Sequence, residues 1–152
     1  MKQIGGIILV LLASVSAAAA DNTLGTWKWN AEKSTTPPGG KHHSLTITRE
    51  AAEGGIKQTV QEENAAGKPS HGEFTVKYDG TSAAVTGLSW DMVAETQIDA
   101  NTVSEELATH DGKRHATRRY SVSPDGQTMT VTTTGTGADG AEFKQISVFE
   151  RQ

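Results

Sequence analysis

Apolar and polar residues alternate in short runs along most of this chain. Phe74, Val76 and Tyr78 share one face of an extended stretch. Trp90, Met92, Ala94 and Ile98 share another. Val103 and Leu107 go together, with Ser104 and Glu106 on the opposite side. Met129 and Val131 alternate with Thr128, Thr130 and Thr132. A period of two is the signature of a strand with one dry face and one wet face. No long segment carries the helical period of 3.6. Turn signals such as Gly54-Gly55, Asp79-Gly80, Asp111-Gly112, Pro124-Asp125-Gly126 and Ala138-Asp139-Gly140 separate the runs. The pattern predicts ten strands, at 26–30, 44–50, 56–63, 72–78, 83–85, 89–98, 102–109, 114–122, 128–134 and 141–151. The expected fold is all-β, a single antiparallel up-and-down barrel of about 8–10 strands, with a sandwich as the other closure of such a meander.

Some polar residues break the alternation. Gln58 is in phase with Ile56 and Val60, and Glu105 with Val103 and Leu107. Gln145 and Ser147 are in phase with Phe143 and Phe149. An inward polar group is costly unless it is hydrogen-bonded. Either a solvated or ligand-filled lumen supplies partners, or the register runs one residue off. The one long irregular connection, residues 31–43, contains Pro37-Pro38-Gly39-Gly40, which continues neither a helix nor a central strand.

Residues 1–20 read as a signal peptide. Lys2 is the charged start, Ile7 to Leu12 the apolar run, and Ala18-Ala19-Ala20 the small-residue cleavage site. The run is too short for a membrane span, which takes about 20 residues. The expected mature domain is 21–152, periplasmic or secreted. Loss of Lys2 with the leader leaves 13 basic against 18 acidic residues, a net of −5. The basic residues are scattered, and Arg118-Arg119 is the one adjacent pair of arginines. That speaks against nucleic acid and anionic membrane surfaces as partners. The chain has no cysteine, so its core forms without disulfide staples.

Gly25-Thr26-Trp27 fits the G-x-W signature of a first lipocalin strand, and GTWKWN is similar to the opening of fatty-acid-binding proteins. ISVFERQ resembles the last strand of that family. The whole mature chain resembles secreted bacterial lipocalin-like proteins that open with a GTWK-L-N segment, a KS pair and a Pro-rich loop. Those motifs stand here as Gly25 to Asn30, Lys33-Ser34 and Pro37-Pro38. The resemblance implies a calycin barrel closed by pairing of its first and last strands, and a monomer is expected. It implies that Trp27 plugs the closed end under Arg151, with Gly25 as the motif's first residue. Two departures limit what carries over. Residues 31–43 are too short and too rich in Pro and Gly for the family's helical lid. The R-x-Y ligand anchor of the last strand is replaced by Ser147 and Phe149.

Candidate chemistry is sparse. His110 and His115 share a face across a turn, but zinc needs further ligands and Lys113 lies between them. No metal and no cofactor is expected. Glu62-Glu63 and Glu105-Glu106 are strand neighbours that point to opposite faces, so neither is a dyad. There is no cysteine, G-x-S-x-G or phosphate loop. An enzyme is the less favoured class.

The leading expectation is an exported barrel that binds a small apolar or amphipathic molecule. The alternatives are an envelope structural or interaction protein with a filled barrel, and then a lumen-based enzyme. If the ligand is acidic, one of Arg118 and Arg119 must anchor it. Arg118 shares its face with Ala116, Tyr120 and Val122, the more apolar side. The expected ligand residues are Arg118, Tyr120, Phe74, Trp90 and Met92.

Overall fold

The structure, a computed structural model, describes residues 19–36 and 40–152. The expected leader lies outside the described residues except for Ala19 and Ala20, and so do Pro37 and Pro38 of the long connection. Ten strands form: β1 (Gly25–Asn30), β2 (Ser44–Ala52), β3 (Gly55–Glu63), β4 (Pro69–Lys77), β5 (Ala83–Ala84), β6 (Met92–Asp99), β7 (Thr102–Ala108), β8 (His115–Val122), β9 (Thr128–Thr136) and β10 (Glu142–Arg151). Every pairing between them is antiparallel. The order is β4-β3-β2-β1-β10-β9-β8-β7-β6-β5, so the first and last strands pair in the middle of the sheet. Trp27 sits opposite Arg151 and Trp29 opposite Phe149.

The sheet curls until its edges meet. Glu73 of β4 and Thr86 exchange backbone hydrogen bonds of 3.0 Å, and Asp79 bridges to Thr96. This seam is held by isolated bridges rather than a ladder. The result is a nearly closed antiparallel barrel, and no helix occurs among the described residues.

Asn64, Asp79, Asp99, Asp111, Asp125 and Asp139 each accept the backbone N–H two residues on, at 2.8–3.1 Å. Such side chains mimic a turn's own hydrogen bond, which is why the hairpins fall where these residues stand. Hydrogen bonds from the hydroxyls and N–H groups of their turns hold the carboxyls of Asp79, Asp111 and Asp125 below their ordinary range.

The inward side chains form two apolar layers. Trp27, Ile47, Val60, Val103, Tyr120 and Phe149 belong to one. Ile56, Phe74, Val76, Trp90, Val93 and Leu107 belong to the other. At one end Trp27 is fully buried, donates Nε1–H to Thr23 O at 2.8 Å, and lies 4.1 Å beneath the Arg151 guanidinium carbon. Arg151 donates to the carbonyls of Gly126, Leu24 and Asn22. Gly25 adopts φ +127°, and a Cβ there would stand 2.5 Å from Arg151 Nη1.

One phase expectation is reversed. Met92 does not line the interior with Trp90: it faces outward with Ala94 and Ile98, and Ile98 is 53% exposed. The inward residues of β6 are Val93 and Glu95. The strand begins only at Met92, so the burial of Trp90 does not set its phase. Val93 pairs with Leu107 and Glu95 with Glu105, both inward on β7.

Candidate functional site

Between the two apolar layers runs a belt of polar side chains. On β3 it is Gln58, between Val60 of one layer and Ile56 of the other. On β7 it is Glu105, between Val103 and Leu107, and on β8 it is Arg118, between Tyr120 and Ala116. The strand register makes Glu95, Glu105, Arg118, Thr133 and Gln145 successive neighbours across β6 to β10. On the facing wall, Arg49 of β2 pairs in register with Gln58.

Arg49 spans the lumen. It is buried, as is Glu95, and grips that carboxylate with Nη1 at 3.1 Å and Nη2 at 2.7 Å. Its Nη1 also donates to Gln58 Oε1, its Nε to Thr23 Oγ1 at 3.2 Å, and its Nη2 to the Tyr78 hydroxyl at 3.3 Å. Its guanidinium carbon lies 4.7 Å from the centre of the Tyr120 ring. Tyr78 in turn donates to Asp21 Oδ2. A charge removed from water is tolerated only when paired and hydrogen-bonded, and Arg49 meets that condition with a two-pronged grip.

Glu105 is buried and receives Tyr120 Oη–H at 3.2 Å and Arg118 Nη1 at 3.1 Å. Glu95 and Glu105 are register partners on neighbouring strands, and both are buried. Burial pushes the Glu95 carboxyl up to about 8, against the pull of Arg49 and with the further push of Glu105. Burial likewise raises the hydroxyls of Tyr78 and Tyr120 above the usual range. One belt donor is unmet among the described residues: Gln58 Nε2 is buried without a partner there.

Arg118 differs from the rest of the belt. It points inward, yet 27% of its side chain is exposed. Among the described residues only Nη1 of its fork is hydrogen-bonded to a protein acceptor. Solvent therefore reaches part of this side chain.

Of the residues singled out from the sequence, the structure brings Arg118 and Tyr120 together on Glu105. Phe74 is buried beside Gln58, its register partner on β3. Trp90 is buried at the edge of the second layer, with the Arg114 guanidinium 4.6 Å over its ring. Met92 lies outside the barrel. Arg119 is exposed on the outer face. His110 sits in the turn before β8, and His115 is exposed on β8. Among the described residues no three His, Asp or Glu side chains converge as a metal site. Two depressions lie on the outer wall, about 440 Å³ over β2–β4 and about 540 Å³ over β8–β10, with Thr46, Gln61 and His71 in the first and Thr117, Thr134 and Lys144 in the second.

Sequence reasoning missed Arg49 and Glu95. Their phase was the available signal: Arg49 follows Leu45 and Ile47 at intervals of two, and Glu95 follows Val93.

No protein-family model matches the chain, and no curated protein sequence matches it. The fold is similar to a solved structure of EF1p2_mFAP2b bound to DFHBI, at 11% sequence identity over 86% of this chain and 94% of that one, with a TM-score of 0.48.

Proposed function

We propose that this protein is an exported barrel that holds a small amphipathic molecule in its lumen. The polar end of the molecule meets the belt at Arg118, and its apolar part lies in the layer of Phe74, Trp90 and Leu107. The observation that carries this reading is the inward Arg118 that keeps 27% of its side chain open. A guanidinium with unused donors between two apolar layers is suited to a carboxylate or similar acceptor, because its planar fork makes parallel bonds. Tyr120 closes the other side of Glu105 and keeps that carboxylate turned to Arg118. Gln97 Nε2 holds Ala20 O at 2.9 Å, and Asn22 N–H donates to Ala100 O at 2.7 Å. A chain cleaved before Asp21 retains the Asn22, Thr23 and Leu24 contacts of the closed end.

A second reading has its own support. Arg49 is buried and bonded to Gln58 and Glu95, and Glu105 is buried and bonded to Tyr120 and Arg118, as in a barrel filled by its own side chains. One titration separates the two. Protein recovered from the extracytoplasmic fraction, with an N-terminus that sequencing places near Asp21, is titrated with a fluorescent dansyl-undecanoic acid probe. Binding is expected to weaken about tenfold or more in Arg118→Met, the loss of one charge-assisted contact, and to stay unchanged in Arg119→Met. Equal affinity in parent and both variants removes the anchor, and no binding in any of them leaves the filled barrel.

A further inference from the structure

The belt has a dry half and a wet half. In the dry half Arg49, Gln58 and Glu95 are buried, and Arg49 bonds to both of the others. The wet half lies on β8, β9 and β10, where Arg118, Thr133 and Gln145 are register partners on successive strands. Arg118 and Gln145 keep part of their surface in solvent although both point inward. Polar atoms are left over in this row. Glu105 takes only Nη1 of Arg118, at 3.1 Å, so the rest of that fork can still donate. The hydroxyl of Thr133 stands one strand away. Gln145 gives its Nε2–H to Ser147 Oγ at 3.0 Å, and an amide that donates there has its carbonyl oxygen left as an acceptor on the other side. Register partners hold their Cβ atoms about 5 Å apart, so the three polar ends lie within reach of one small head group.

We infer that this row selects an organic acid with a hydroxyl group close to its carboxylate, as in a β-hydroxy fatty acid. Arg118 and Thr133 take the carboxylate, and Gln145 Oε1 takes the hydroxyl. The inference rests on the binding function proposed above and names the chemical class of the ligand. The order of donors and acceptors along the row carries it. A carboxylate only accepts hydrogen bonds, so it can use the guanidinium and the threonine hydroxyl but has nothing to give Gln145 Oε1. A hydroxyl on the β carbon supplies that hydrogen, and it lies near enough to its own carboxylate to meet a side chain of the neighbouring strand. Polar side chains at inward positions are costly unless they are hydrogen-bonded, and Gln145 and Ser147 satisfy each other only in part. The tail of such an acid has a path as well. Phe143, two residues before Gln145 on the same face of β10, packs against the layer of Phe74, Trp90 and Leu107. A chain leaving the head group therefore runs onto apolar surface.

The test displaces the dansyl-undecanoic acid probe with dodecanoic acid, β-hydroxydodecanoic acid, the β-methoxy ether of that acid and ω-hydroxydodecanoic acid. On the parent protein the β-hydroxy acid is expected to compete about three- to tenfold better than dodecanoic acid, the gain of one hydrogen bond. The ether keeps the oxygen without its hydrogen, and the ω-hydroxy acid carries its hydroxyl at the far end, so neither should gain. In Gln145→Leu the ratio between the β-hydroxy acid and dodecanoic acid should fall to about one. In Thr133→Val all four acids should weaken together, because the lost donor serves the carboxylate they share. If a variant does not fold, the ranking of the four acids on the parent decides alone. Equal competition by the β-hydroxy acid and dodecanoic acid on the parent overturns the inference and leaves the binding function standing. So does a gain by the ether that matches the β-hydroxy acid, a preference that survives Gln145→Leu, or unchanged affinities in Thr133→Val. Failure of the probe and of every competitor to bind the parent overturns the binding function, and the inference with it.

Discussion

Trp27 and Trp29 stand two residues apart on one face of β1 and differ in the fate of a single atom. Trp27 Nε1 has Thr23 O as its acceptor, whereas Trp29 Nε1 is buried without one among the described residues. An unmet buried donor costs roughly 1–3 kcal/mol. Trp29→Phe removes the donor and keeps an aromatic ring, so it should leave stability within about 1 kcal/mol of the parent. Trp27→Ala, which empties a site sandwiched under Arg151, should cost about 3–5 kcal/mol. Paired denaturant melts check both, and an equal loss in the two variants would contradict the assignment. The belt shows what residue type conceals. Gln58 and Glu105 were visible as polar residues in an apolar phase. Arg49 and Glu95 were not, because a charged residue argues for the outside unless its partner is known. That partner is 46 positions away in the chain, where no local pattern reaches it. On β6 the apolar Met92, Ala94 and Ile98 outvoted Val93 and Glu95, and the outvoted face is the one turned to the lumen.

Strands and hairpins were legible for a more local reason. Each strand carries its own alternation, and six turns, five of them hairpins, carry an Asn or Asp that accepts the N–H two residues on. The seam is the exception. Its contacts come from a stretch that is mostly not strand: Thr86 bridges Glu73, and Leu88 rests on the place where Gly72 lacks a side chain. Gly87 lets this stretch approach β4. It sits at φ +71°, and a Cβ there would lie 2.0 Å from His71 O. Gly87→Ala should therefore cost well over the roughly 1 kcal/mol of a positive φ alone. Gly140 gives the comparison, with φ +79° and nothing within 4 Å of its missing Cβ. Amide exchange should quicken at Glu73 and Thr86 in Gly87→Ala and stay as in the parent in Gly140→Ala. Equal stability losses in the two variants would count against the close approach.

At the scale of the whole molecule, ten strands, one sheet and two apolar layers separated by charge describe a barrel whose walls are ordinary and whose middle is not. The sheet order follows from the strand count and from first and last strands that match one another. The interior does not, because which charges meet across a lumen is settled by closure. Closure itself has a cost in chain entropy. β1 pairs with β10 across nearly the full length of the sequence, whereas every other laddered pair joins strands that are consecutive in the chain. Arg151 Nη2 lies 2.9 Å from Asn22 O, and Gln152 N–H donates to Thr26 O, so the start and the end of the barrel lie side by side. Joining Gln152 to Asp21 through a linker of about five residues and opening the chain between Thr81 and Ser82 would make the same sheet a plain succession of neighbours. Such a circular permutant should keep the parent's denaturation midpoint and refold faster in stopped-flow mixing, since its contacts are nearer in sequence. A refolding rate unchanged by the new connection would mean that the ends of the native chain meet only after the barrier has been crossed.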